Sequence, residues 1–204
     1  MSQSRDLTRN RKKVRTAVKP SKSSTQQYDA FGRRGWRLRF IAEELVHLYE
    51  HYEKYESEKM KSSFNHMVRY LLDLYFAPNK KLNGAGLISR KARKAILKGN
   101  VAETQSDHVV PMKELQKAFN EITKRGSSES SIRKMEDFIY RNVFVVRITN
   151  DEHKTLNAKG HKAGMPTNWK DRDSPWQRYI QAGINEVFRK DGTIVDLGKP
   201  LALA

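Results

Sequence analysis

The chain of 204 residues contains no cysteine, which excludes disulfides and cysteine-built zinc sites and leaves the fold to stand on its core. Acidic residues are scarce beside basic ones: 23 Asp and Glu face 40 Lys and Arg, giving a net charge of +17. The partners suited to such an excess are polyanions, with nucleic acid ahead of membrane. Long hydrophobic runs are missing as well. No stretch approaches transmembrane length and the basic N-terminus has no apolar signal core, so a cytoplasmic protein without a membrane partner is expected. Hydrophobic residues make up only 37% of the chain, so part of it is expected to stay outside any packed core. There is no repeat, no phosphate-binding glycine loop and no nucleophilic serine motif, which removes the usual hydrolase alternatives.

What is present divides into four regions. Residues 1–27 carry eight Arg and Lys against the single acid Asp6, with almost no large apolar residue, and read as a disordered basic arm or a solubilising tail. Residues 28–80 form a helical hairpin region. Trp36, Leu38, Phe40, Ile41, Leu45, Leu48 and Tyr49 give one helix, with Tyr52 and Tyr55 as a continuation, and a second runs from near Glu58 to Tyr75 and stops before Pro78. Aromatics at helical spacing are core residues before they are a base-stacking platform, and His47, His51 and His66 lack a carboxylate at ligand spacing. A polar loop, Asn79 to Gly86, leads to residues 85–190, where the chemistry is expected. Residues 191–204 read as a C-terminal tail.

Within residues 85–190, Ser89 caps a short basic helix with Arg90, Lys91, Arg93, Lys94 and Lys98, suited either to gripping a phosphate backbone or to forming a solvated face. Val101 to Val110 is extended in character and closed by Pro111. Two helices follow, Met112 to about Lys124 and Ser131 to Tyr140. Val143 to Ile148 is then a buried strand, Thr149 or Asn150 caps a helix reaching about Asn157, and a last helix spans Pro175 to Phe188.

Hydrolysing a phosphodiester requires an activated water, a cation at the phosphate and a scaffold that holds both in line. Asp107 and His108 supply a hard oxygen ligand and a base near neutral pH, while His153 and Asn157, four apart on a helix, can point at one ion. Neighbours on a regular strand face opposite sides, so irregular backbone is expected at Asp107-His108 if both serve one site. Taken alone, the dipeptide equally suits an ordinary turn with a hydrogen-bonded imidazole.

Asp107-His108-Val109-Val110-Pro111, Asn142 ahead of the second strand, and Thr149-Asn150-Asp151-Glu152-His153 with Asn157 together resemble the HNH endonucleases. That resemblance implies a ββα-metal core; joined to the helices read from spacing it gives an α+β, mostly helical chain with the helical hairpin first and two helices inserted between the strands, a departure from the family pattern. It implies His108 as general base, Asp107, His153 and Asn157 as ligands of a divalent cation, magnesium or manganese, and Asn142 as the brace of the loop carrying the base, with Asn150 as the competing middle residue. Arg147 lies outside the motif but is placed to contact phosphate. The resulting expectation is a metal-dependent endonuclease acting on DNA ahead of RNA, with a homodimer left open. The alternatives are a non-catalytic basic nucleic-acid-binding protein and a ribonuclease using the same site.

Overall fold

A computed structural model describes residues 35–51, 58–76, 86–124, 126–189 and 191–198. The expected basic arm, Tyr52, Tyr55 and nearly all of the loop from Asn79 to Gly86 lie outside the described residues. The chain is an α+β protein, mostly helical, with one small mixed sheet. Helices α1 (Gly35–Glu50) and α2 (Glu58–Phe76) come first, then strand β1 (Leu87–Ser89), helix α3 (Arg90–Leu97) and strand β2 (Thr104–His108). Helices α4 (Met112–Thr123) and α5 (Glu129–Asn142) precede strand β3 (Val145–Thr149), helix α6 (Asn150–Ala158), helix α7 (Gln177–Gln181) and strand β4 (Val187–Arg189). No described helix is long and apolar enough to cross a membrane.

Two hydrophobic cores organise these elements. In the first, α1 contributes Ile41, Ala42, Leu45, Val46 and Tyr49, a stripe one turn apart, and α2 contributes Phe64, Val68 and Leu72. The inserted helices complete it with Leu115 and Phe119 from α4 and Met135, Phe138 and Ile139 from α5. The hairpin and the insertion are therefore two halves of one helical layer. Its aromatics meet edge to face, Tyr49 on Phe64 at 4.8 Å and Phe119 on Phe138 at 5.6 Å between centroids, as core rings do.

The second core lies on one face of the sheet, whose strand order is β2-β3-β1-β4. Strand β3 runs antiparallel to β2 and parallel to β1, and β4 pairs antiparallel with β1. Val146 and Ile148 of β3 and Leu87 of β1 pack there with Leu156 of α6, Trp176, Tyr179 of α7 and Val187 of β4. The sheet thus has two strands, β1 and β4, that the sequence pattern did not signal. The final helix expected over Pro175 to Phe188 is only α7: Gly183, with φ +78, turns the chain out of the helix, and the rest of that segment pairs with β1. Residues 191–198 are not a free tail, because Val195 and Leu197 are buried in this core and Ser174 donates to the Leu197 carbonyl at 2.6 Å.

The chain crosses between cores at single peptide bonds. Val109 belongs to the sheet core and Val110 to the helical one; on the return, Val143 belongs to the helical core and Phe144 to the sheet core. The Val109 amide donates to the Phe144 carbonyl at 2.9 Å, closing the neck of this excursion.

Candidate functional site

Strand β2 was expected to run to Val110 with irregular backbone at Asp107-His108. It instead pairs regularly with β3 to its last residue, Asp107 opposite Val146 and His108 opposite Val145, and the bend begins at Val109. Paired residues share a face of a sheet and successive residues alternate. Asp107 therefore projects toward the buried face of Val146, where α6 and α7 pack, whereas His108 shares the other face with Val145, Ser106 and Arg147. The bend is forced by packing, since Val109 and Val110 are buried in different cores.

Helix α6 follows β3 through a complete capping box: the Thr149 side chain accepts from the Glu152 amide, and the Glu152 carboxylate accepts from the Thr149 amide. The buried Glu152 also accepts from the Ser89 hydroxyl at 2.6 Å, and Ser89 caps α3. One carboxylate thus ties together the starts of α3 and α6. Beyond this cap, His153 and Asn157 flank the stripe that buries Leu156, their side chains 3.5 Å apart, with Asn157 Oδ1 buried and without a partner.

Asp107 Oδ2 accepts hydrogen bonds from Arg178 Nη2 and from the Tyr179 hydroxyl. No described residue hydrogen-bonds its Oδ1. Arg178 is 2% exposed; its Nε donates to the Val109 carbonyl at 2.7 Å, its Nη1 to the His161 carbonyl at 2.8 Å, and its Nη2 also to the His108 carbonyl. Burial above all, and then the negative charge of Asp107, push the Tyr179 phenol well above its usual range, against the pull of Arg178, so it stays a neutral donor. Sequence reading missed both residues. The available signal was a lone arginine between Trp176, Tyr179 and Ile180 in an apolar helix, a position where a charge needs a partner.

Asn142 ends α5 rather than lying in a loop before β3. It is buried, its Nδ2 donates to the carbonyls of Phe138 at 3.1 Å and Asp171 at 3.3 Å, and among the described residues no hydrogen bond joins it to the segment 107–110. The competing Asn150 opens α6 and donates to the Ala102 carbonyl at 3.4 Å. On α3, Arg90 pairs with Glu186, the Arg93 guanidinium sits 5.0 Å from the Phe188 ring centroid, and Lys91 and Lys94 are exposed. Arg147 is half-buried, its Nε enclosed without a hydrogen bond, and no described acid pairs with it.

No family model matches the chain, and no curated protein or solved structure does. Among the described residues, no three His, Cys, Asp or Glu side chains gather into a cation site. Asp107, His153 and Asn157 would hold an ion with one carboxylate, one imidazole and one amide oxygen. That donor set suits magnesium or manganese, and the orphaned Asn157 Oδ1 and the unbonded Asp107 Oδ1 are the atoms it would use.

Proposed function

We propose that this protein is a metal-dependent endonuclease of the HNH type that hydrolyses phosphodiester bonds in DNA. The observation that carries this reading is the succession of β2 ending in Asp107-His108, β3 antiparallel to it, and α6 beginning directly after β3 with His153 and Asn157 on one flank. In this reading His108 takes the proton from the attacking water, a task suited to an imidazole near neutral pH. Asp107, His153 and Asn157 hold the divalent cation, magnesium or manganese, which when bound neutralises charge at the phosphate and the departing oxygen. Arg147, on the face of the sheet that His108 shares, takes a phosphate oxygen, and Arg90, Lys91, Arg93 and Lys94 of α3 track the backbone. Asn142 stands as the middle asparagine of the motif, a brace ahead of β3 that is itself held by the Phe138 and Asp171 carbonyls. A ribonuclease using the same residues is the alternative within this reading.

A non-catalytic basic nucleic-acid-binding protein is the competing reading. Two observations favour it: Asp107 Oδ2 is already taken by Arg178 and Tyr179, and Asp107 and His108 leave the strand on opposite faces. Plasmid and single-stranded RNA cleavage in magnesium, in manganese and in EDTA separates the two. With a general base worth about 10²- to 10⁴-fold, His108→Ala should lose cleavage by that factor while binding DNA as tightly as the parent. Cleavage that persists in EDTA, or that is absent from the parent in both metals, would sink the nuclease reading.

A further inference from the structure

We infer that Arg178 and Tyr179 are the positioning pair of the proposed site, fixing the Asp107 carboxylate so that one oxygen is held by the protein and the other is kept for a divalent cation. This rests on the nuclease reading above. A buried guanidinium is costly unless its charge and its donors are matched, and Arg178 has a single carboxylate for a partner. Its other bonds go to backbone carbonyls, and their addresses are informative: His108 and Val109 follow Asp107 directly, and His161 lies just beyond α6. The His161 amide in turn donates to the Leu156 carbonyl inside α6 at 2.9 Å. One planar group therefore spans the end of β2 and the exit of α6, the two pieces of chain that carry Asp107 and the pair His153 and Asn157.

A point charge on a flexible stem could balance Asp107, but it could not reach four acceptors in fixed directions, as the guanidinium fork does. Tyr179 adds the second donor to the same Oδ2, and its ring is fully buried edge to face against Trp176 at 5.7 Å, so the hydroxyl cannot swing away. With Oδ2 doubly bonded, rotation of the carboxylate is blocked and Oδ1 is left unbonded. Arg178 and Tyr179 touch neither cation nor substrate in this account and act only through Asp107 and the backbone. Groups that orient a metal ligand in this way typically govern affinity by about 10- to 100-fold.

The test is manganese binding to the intact chain, followed by titration calorimetry and by loss of the free-ion electron paramagnetic signal, with thermal unfolding in EDTA run alongside. Tyr179→Phe removes one hydroxyl and keeps the packed ring; it should weaken manganese binding about tenfold while melting close to the parent. Arg178→Lys keeps the charge and loses the fork, and should weaken binding at least as much in whatever fraction folds. A merely structural role would lower the melting temperature and leave the dissociation constant of the folded chain unchanged. Parent-like affinity in Tyr179→Phe overturns the inference, whatever becomes of Arg178→Lys. If the parent binds and cleaves while Tyr179→Phe binds as tightly, the inference alone fails; if the parent takes up no manganese, the metal-site reading fails and takes this inference with it.

Discussion

The two cores bury different chemistry. The helical core, from Ile41 to Val143, encloses aliphatic and aromatic side chains; of the buried polar groups on its helices, Thr123 and Ser131 bond to carbonyls within five residues of themselves, while Asn142 reaches farther, to the Asp171 carbonyl. The sheet core encloses Arg178, Glu152, Ser89 and Ser174, whose bonds join elements far apart in sequence: Arg178 to β2, Glu152 to Ser89, Ser174 to Leu197. Apolar burial is non-directional and tolerates small shifts, whereas a buried hydrogen bond specifies where a group must be. A site that must hold several side chains in register is therefore expected where directed bonds accumulate, and the candidate residues lie on that side of the neck at Val109 and Phe144.

The comparison is most severely tested at Arg178. Arg178→Met leaves the half-buried Asp107 carboxylate without its guanidinium partner and strips three carbonyls of a donor, so urea unfolding should show a loss of about 3 kcal/mol. A loss under 1 kcal/mol would mean that the sheet core does not depend on its polar clasp. Phe119→Ala, in the helical core, should cost about 3 kcal/mol by opening a cavity beside Tyr49 and Phe138. Its folded fraction should bind manganese and DNA as the parent does, and a matching loss of affinity would show that the cores are not separable in function. Glu152→Gln weakens charge-assisted bonds to Ser89 and Thr149 and should cost about 1 kcal/mol, read in the same urea titration, with hydrogen exchange accelerated in the first turns of α3 and α6 together.

The smallest effect belongs to the surface of the helical core, where Arg39 of α1 reaches Glu129 and Glu136 of α5. Arg39, with Arg133 second, holds Glu129 down to about 2 from an ordinary 4.5. A folded-state value below the unfolded one contributes stability above pH 4.5 and loses it as pH falls toward 2. Glu129 is exposed, so Arg39→Gln should shift melting slightly at neutral pH in low salt, and less near pH 2 or in molar salt.

Much of the fold was legible because local signals agreed with the tertiary outcome. Ser89 caps the helix it was expected to cap, Thr149 takes the cap that it and Asn150 both offered, α2, α4 and α6 run within a residue or two of their expected ends, and the two β runs pair with each other. The helical insertion between β2 and β3 was visible in the spacing of Leu115, Phe119 and Ile122, but its packing on α1 was not, since amphipathic stripes do not name their partners. Strands β1 and β4 are three residues long, too short for a period of two to register. For the candidate site, residue type and spacing singled out Asp107, His108 and the helix neighbours His153 and Asn157, whose side chains lie 3.5 Å apart. Arg178 and Tyr179 were not legible in this way, because their bonds to Asp107 close over some seventy residues and leave no mark in local pattern.

The neck at Val109 and Phe144 also determines what can be removed. Helices α4 and α5 leave and re-enter the sheet core at adjacent points, so residues 110–143 have the outline of a cassette that a short turn could replace. The other half of their layer, α1 and α2, precedes the sheet in the chain. Excising the cassette would uncover Ile41, Leu45, Phe64 and Leu72 on helices left with only each other, Met165 and Trp169 in the first core, and no single cut in the backbone yields both cores whole. A unit reduced to the sheet core would accordingly have to lose α1, α2, α4 and α5 in one step, and a limited digest that nicks only the connection between α4 and α5 should leave the fragments associated.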